Sequence, residues 1–166
     1  MSLIVENGAG LPDAESLCSL AQATAYHAAM GNAAWAALAS DTVREQLLRK
    51  ATAYMRQAYG GRWQGLRAVA GQALDWPRGG VVVDHIGIAA DIVPAEVANA
   101  CAELALRAST ATLAPDLKPM ATRVKVGPIE REYAQGTSQA VRFRAVDDMV
   151  APYLSGSSNM IKVSRA

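Results

Sequence analysis

Aromatic residues make up only 5% of this 166-residue chain, which holds two cysteines, two histidines and a single phenylalanine. Each shortage removes a class of protein. An apolar fraction of 51%, much of it alanine, with so few aromatics points away from a β-sandwich and toward closely packed helices. Two cysteines cannot build a disulfide framework, and neither Cys18 nor Cys101 lies in a CxxC or similar metal spacing. Both sit in alanine-rich stretches and read as reduced core thiols. A net charge of +1 supplies no global field for nucleic acid or membrane. No run approaches the roughly 18 apolar residues of a membrane span, and no basic stretch followed by an apolar one opens the chain. A soluble protein made in the cytoplasm is expected.

Catalytic constellations are equally thin. His27 lies among alanines on a helical face, where packing or a simple hydrogen bond explains it. Asp84 and His85 are neighbours in a loop, and adjacency in sequence does not aim a carboxylate at an imidazole. Asp147-Asp148 reads as a pair of helix-start acids rather than a metal site. Gly8-Ala9-Gly10 lacks the strand and helix that would make it a nucleotide loop, and GxSxG and HExxH are absent. The expectation is no enzyme, with no catalytic, cofactor-binding or metal residues.

What the chain does have is helical periodicity. The stretch 92–110 (IVPAEVANACAELALRAST) organises the rest. Pro94 suits a first helical position, Glu96 complements the dipole of the first turn, and Val97, Ala100, Cys101, Leu104 and Ala108 share one face. Earlier, Ser19 and Gln22 form a capping box for a helix over LAQATAYHAAM that stops at Gly31-Asn32. Residues 33–39 (AAWAALA) make a short helical turn pinned by Trp35. Thr42 and Glu45 propose a second capping box, opening a long amphipathic helix that ends at Gly60-Gly61. Its charged face (Arg44, Glu45, Arg49, Lys50, Arg56) reads as solvated.

Residues 61–91 are irregular, rich in glycine, with Trp63, Trp76 and Pro77 as anchors and a short strand at 81–83. A loop of that length is usually functional or ordered by a partner. After a proline-broken linker at 114–122, residues 123–126 and 129–133 alternate as a hairpin around Gly127-Pro128. A last short helix at 145–154 and a Ser/Gly tail with a strand-like run at 160–163 complete the chain. The fold class is therefore mainly α: a small helical bundle over 1–154 with a hairpin at about 123–134, then a C-terminal extension, 155–166.

Binding surfaces offer more than catalysis. Arg123, Lys125, Arg131, Arg142 and Arg144 outnumber the acids across the hairpin and its exit, and Phe143 sits between two arginines. That interleaving can grip single-stranded nucleic acid through phosphates and stacking. It also suits an inter-subunit patch or a charged edge strand. Trp63 and Trp76 could stack on bases, or anchor the loop or an interface.

Several stretches occur together in a known order: LIVENGAGLPDAES, AAWAAL, ATAYMRQAYGGRWQG, QALDWPRGGV, VPAEVANACAELALRA and VKVGPIEREY. The set, covering about residues 3–154, resembles the small head–tail connector (adaptor) proteins of tailed bacteriophages and prophages, many of them described as DnaT-like single-stranded-DNA-binding proteins. The resemblance implies a structural virion protein: a ring, typically dodecameric, beneath the portal in the neck of the particle, lining the channel for genomic double-stranded DNA. Its partners would be its own copies, the portal, and a stopper or tail protein. Trp63, Trp76 and Arg78, the basic residues Arg123, Lys125, Arg131, Arg142 and Arg144 with Phe143, and Met160, Ile161 and Val163 of the tail are the expected interface residues. The alternative is a single-stranded-DNA-binding replication accessory protein.

Overall fold

Pro94 precedes the helix on which the other elements pack. The computed structural model describes residues 2–116, 123–126, 129–132 and 141–156, the two middle stretches as backbone. Among them the chain runs α1 (Leu20–Ala29), α2 (Ala33–Ala36), α3 (Asp41–Tyr59), β1 (Leu66–Arg67), β2 (Arg78–Gly79), β3 (Val82–Val83), β4 (Ile86–Gly87), α4 (Ala95–Ala108), β5 (Arg123–Val126), β6 (Ile129–Glu132) and α5 (Arg144–Val150), which continues into a 3₁₀ turn at Ala151–Tyr153. The expected mainly helical class with a short hairpin holds.

Helix α4 buries Val97, Ala98, Ala100, Cys101, Ala102, Leu104 and Ala105 against α3, α1 and α5. The alanines explain how three helices can crowd one: short side chains let their backbones approach. The larger members carry the apolar burial, about 1.5–3 kcal/mol for each fully buried Val or Leu. Truncating Leu104, which has no exposed surface, would remove about 2–5 kcal/mol. Pro94 stands one place before the position expected of it: it is the N-cap residue, with φ −56° and ψ 144°, and Ala95 is the first helical residue.

The caps decide the other boundaries. Ser19 and Gln22 form the expected box, Ser19 Oγ accepting from Gln22 N at 3.1 Å and Gln22 Oε1 from Ser19 N at 2.8 Å. The second expected box is corrected: Ser40, not Thr42, caps α3 by accepting from Val43 N. Ser40 is extended, as a capping residue must be, whereas Thr42 already lies inside the helix. Arg44, expected on a solvated face, instead donates to the carbonyls of Trp35, Ala36 and Leu38, satisfying the end of α2.

His27 is a core residue, as expected. Nε2 lies 3.0 Å from Ala102 O and Nδ1 3.1 Å from Asn32 Nδ2, and the ring packs on Trp35 at 4.7 Å. Cys18 and Cys101 are free and buried. Burial raises both thiol pKa values, and Cys101 Sγ meets Thr52 Oγ1 at 3.3 Å. No helix among the described residues is long and apolar enough to cross a membrane.

Candidate nucleic-acid and assembly surfaces

Residues 61–91 order themselves. Arg78 is 7% exposed, and its guanidinium donates to three backbone carbonyls: Gln64 at 2.6 Å, Gly65 at 2.8 Å and Asp75 at 3.1 Å. A planar fork of donors can span three acceptors in this way where an ammonium could not. Gln72 repeats the device, its amide nitrogen donating to Leu74 and Pro77 and its oxygen accepting from Val69 N. Burial pushes the Arg78 pKa down, partly opposed by the nearby Asp75 carboxylate, which pairs with Arg67 at 2.9 Å. The Trp76–Pro77 peptide is cis.

The tryptophans point inward. Trp63 is 4% exposed and Trp76 fully buried. They form the middle of an edge-to-face chain, Tyr59–Trp63–Trp76–Tyr153, with centroids 5.7–5.8 Å apart. Such pairs contribute about 0.5–1.5 kcal/mol each beyond the area they bury. The sequence reads this loop as functional or ordered by a partner and tied down by tryptophan anchors; Trp63 and Trp76 do anchor it, together with its buried polar groups. Trp63, Trp76 and Arg78, expected as interface residues, are buried and engaged within the chain.

Among the side chains the loop presents outward are large aliphatics, beside the charged Arg62, Arg67 and Asp91. Its two hairpins pair Leu66 with Gly79 and Val82 with Gly87, leaving Leu66, Val82 and Ile86 exposed. Asp84 and His85 occupy the two-residue turn between β3 and β4, with φ of 50° and 66°. Positive φ at both central positions is the requirement of a type I′ hairpin turn. The adjacent Asp-His pair therefore serves a turn.

Around residue 143 the basic motif divides. Phe143 turns inward, its ring edge-on to Tyr54 at 5.5 Å and under the Arg107 guanidinium at 5.6 Å. Arg142 and Arg144 stay exposed, with Arg144 3.9 Å from Asp148. Beside them runs a groove of about 580 Å³ between the end of α3 and α5, lined by Tyr54, Arg62, Val141, Arg142, Asp147 and Asp148. Asp147 accepts from Tyr59 Oη at 2.7 Å, and burial, reinforced by that carboxylate, raises the Tyr59 pKa. Lys50 and Arg56 are exposed elsewhere on α3, Lys50 lining a separate hollow with Ala53, Gln57 and Ala108. In the hairpin, register sets Arg123 opposite Glu132 and Lys125 opposite Glu130, with Arg131 opposite Val124. The side chains of Arg123, Lys125 and Arg131 lie outside the described residues, as do Met160, Ile161 and Val163 of the tail.

Two features had no sequence expectation. Glu6, 4% exposed, accepts from the amides of Gly8 and Gly10 at 2.9 Å and Leu11 at 2.8 Å, so ENGAG is a loop wound around its own carboxylate. A Cβ on Gly8 would lie 1.7 Å from Asp91 O, which locks that loop to the approach to α4. Among the described residues no group of three His, Cys, Asp or Glu side chains could hold a metal.

One comparison bears on identity. A family described as "Putative DnaT-like ssDNA binding protein" matches residues 1–166. The chain belongs to that family. No curated protein and no solved structure matches it. The family match coincides with the single-stranded-DNA description that accompanies the resemblance above, and it does not extend to the connector role.

Proposed function

We propose that this member of the DnaT-like family is a DNA-associated protein that catalyses no reaction, and that its DNA is single-stranded. The observation carrying the reading is the family match over the whole chain. The fold indicates how such binding would work. Every tryptophan is buried, and Phe143 is held between Tyr54 and Arg107, so among the described residues contact would rest on phosphates rather than on base stacking. Exposed Arg62 and Arg142, which line the α3–α5 groove, and Arg144 next to Phe143 are the residues for it. Binding of this kind is sequence-independent and strongly salt-dependent. Fluorescence anisotropy with a labelled mixed-sequence oligonucleotide tests it: binding at low salt that weakens steadily as salt rises supports the reading, and no binding at low salt overturns it.

A second reading is favoured by the exposed aliphatics Leu66, Val82 and Ile86, which phosphate binding does not use. In this reading the chain is the head–tail connector of a tailed phage, a ring beneath the portal in the virion neck that joins head to tail and lets double-stranded DNA pass. A net charge of +1 suits a channel whose duplex must slide. Co-expression with a portal protein and electron microscopy of the co-purified particles separates the readings, since only a connector forms a ring stacked on the portal.

A further inference from the structure

Trp63 and Trp76 keep their indole N–H groups buried without a hydrogen-bond partner among the described residues. An indole nitrogen can only donate, a buried donor left unpaired is costly, and native proteins hold few of them. Trp35 is the contrast, its N–H donating to Thr24 Oγ1 at 3.1 Å. The tyrosines that end the Tyr59–Trp63–Trp76–Tyr153 chain are well supplied with partners. Tyr59 Oη lies 2.7 Å from Asp147 Oδ1 and Tyr153 Oη 2.6 Å from Glu96 Oε2, each phenol donating to a carboxylate. Such lengths are those of charge-assisted bonds. One chain of touching rings therefore has a proton acceptor at both ends and none in its middle.

Rings in edge contact exchange an electron readily, because their π-systems lie within van der Waals reach. A tryptophan that has lost an electron is a radical cation, which becomes neutral only by giving up its indole proton. With no acceptor at either nitrogen, Trp63 and Trp76 keep that proton and stay strong oxidants of their neighbours. A tyrosine releases its phenolic proton as it gives up an electron when an acceptor is in place, as Asp147 and Glu96 are. A buried positive charge is costly, and a tyrosyl radical beside a protonated carboxyl carries none. We propose that Tyr59–Trp63–Trp76–Tyr153 is a hole relay, which moves one-electron oxidation of the two indoles out to a tyrosine. A one-electron oxidant of the radical class removes an electron from Trp63 or Trp76 and is itself reduced. The indole radical cation takes an electron from Tyr59 or Tyr153, and the phenolic proton passes to Asp147 or Glu96. The indole is restored, and the product is a neutral tyrosyl radical hydrogen-bonded to a carboxylic acid. The Arg62 guanidinium lies 5.9 Å over the Tyr59 ring and disfavours a hole at that end, so Tyr153 is the preferred terminus.

An ultraviolet flash on the full chain, with the ejected electron scavenged, ionises tryptophan in place and needs no access to the core. Transient absorption then follows the broad tryptophan-radical band and the narrow tyrosyl band. In the wild-type chain the first should pass into the second by a first-order process independent of protein concentration. Tyr59→Phe with Tyr153→Phe keeps the rings and removes the phenols. Asp147→Asn with Glu96→Gln keeps the phenols and removes the proton acceptors. Each pair, with folding checked by circular dichroism, should lower the tyrosyl yield several-fold. The single variants Tyr153→Phe and Glu96→Gln, at the preferred terminus, carry the same comparison at smaller amplitude should a pair fail to fold. As a second measurement, peptide mapping after steady exposure should show oxidised Trp63 and Trp76 rising several-fold in the variants while Trp35 stays level. A wild-type tryptophan radical that decays without a tyrosyl signal, a tyrosyl yield unchanged in either set of variants, or an equal rise at Trp35 would overturn the proposal.

Discussion

Tyr153 Oη donates to Glu96 Oε2 at 2.6 Å, fastening the last 3₁₀ turn to the first turn of α4. The bond marks both ionisations. Tyr153, through its hydrogen bond, holds the Glu96 carboxyl below its ordinary value of 4.5. Burial, and then the carboxylate, push the Tyr153 phenol up to about 12. A carboxyl with a lowered pKa contributes stability that is present above its unfolded value and lost as pH falls through the folded one. A phenol with a raised pKa contributes stability that is complete below about 10 and lost as pH rises toward about 12. Tyr153→Phe should therefore cost about 1 kcal/mol across the neutral range and flatten both limbs of the stability–pH curve, read by urea unfolding. An unchanged curve would show that the bond does not form in solution.

Gly8 and Gly61 should respond oppositely to alanine. At Gly8, φ is +101° and the added Cβ would strike Asp91 O, while around Gly61 nothing lies within 4 Å. Gly8→Ala should cost more than about 2 kcal/mol, and Gly61→Ala should be neutral or stabilise by about 0.4–1 kcal/mol. Thermal denaturation of the two variants checks the contrast; equal shifts would contradict it.

Arg78→Ala leaves the carbonyls of Gln64, Gly65 and Asp75 without their donor. A loss of about 3 kcal/mol is expected, a large share of the 5–15 kcal/mol of a typical domain. Arg78→Lys should recover little, because an ammonium cannot reproduce the fork. Urea midpoints close to wild type for either variant would return Arg78 to the list of surface residues.

Arg78 also shows where sequence reasoning runs out. Helices were legible because their signals are local: Ser19 and Gln22 are three residues apart, Gly60 follows α3, and the apolar positions of α4 recur at helical spacing. Residues 61–91 were not, because an arginine beside a Trp-Pro pair looks like surface chemistry until the loop closes around it. The same holds for Trp63, whose neighbours Tyr59 and Trp76 would serve equally well at an interface or in a core. Phe143 between two arginines suggested stacking on bases; only the tertiary arrangement shows Tyr54 and Arg107 occupying its ring. Glu6 carried no readable signal, since binding its own loop depends on the turn that Gly8 and Gly10 permit.

The most direct test of the central claim, phosphate contact without stacking, is the slope of log K against log salt for single-stranded oligonucleotide binding. Arg62→Ala and Arg142→Ala should each lower the slope by about 0.7, the release expected for one phosphate contact on a single strand, while Phe143→Leu should weaken folding and leave the slope alone. A slope indifferent to both arginines, or binding abolished by Phe143→Leu in a folded protein, would contradict the account.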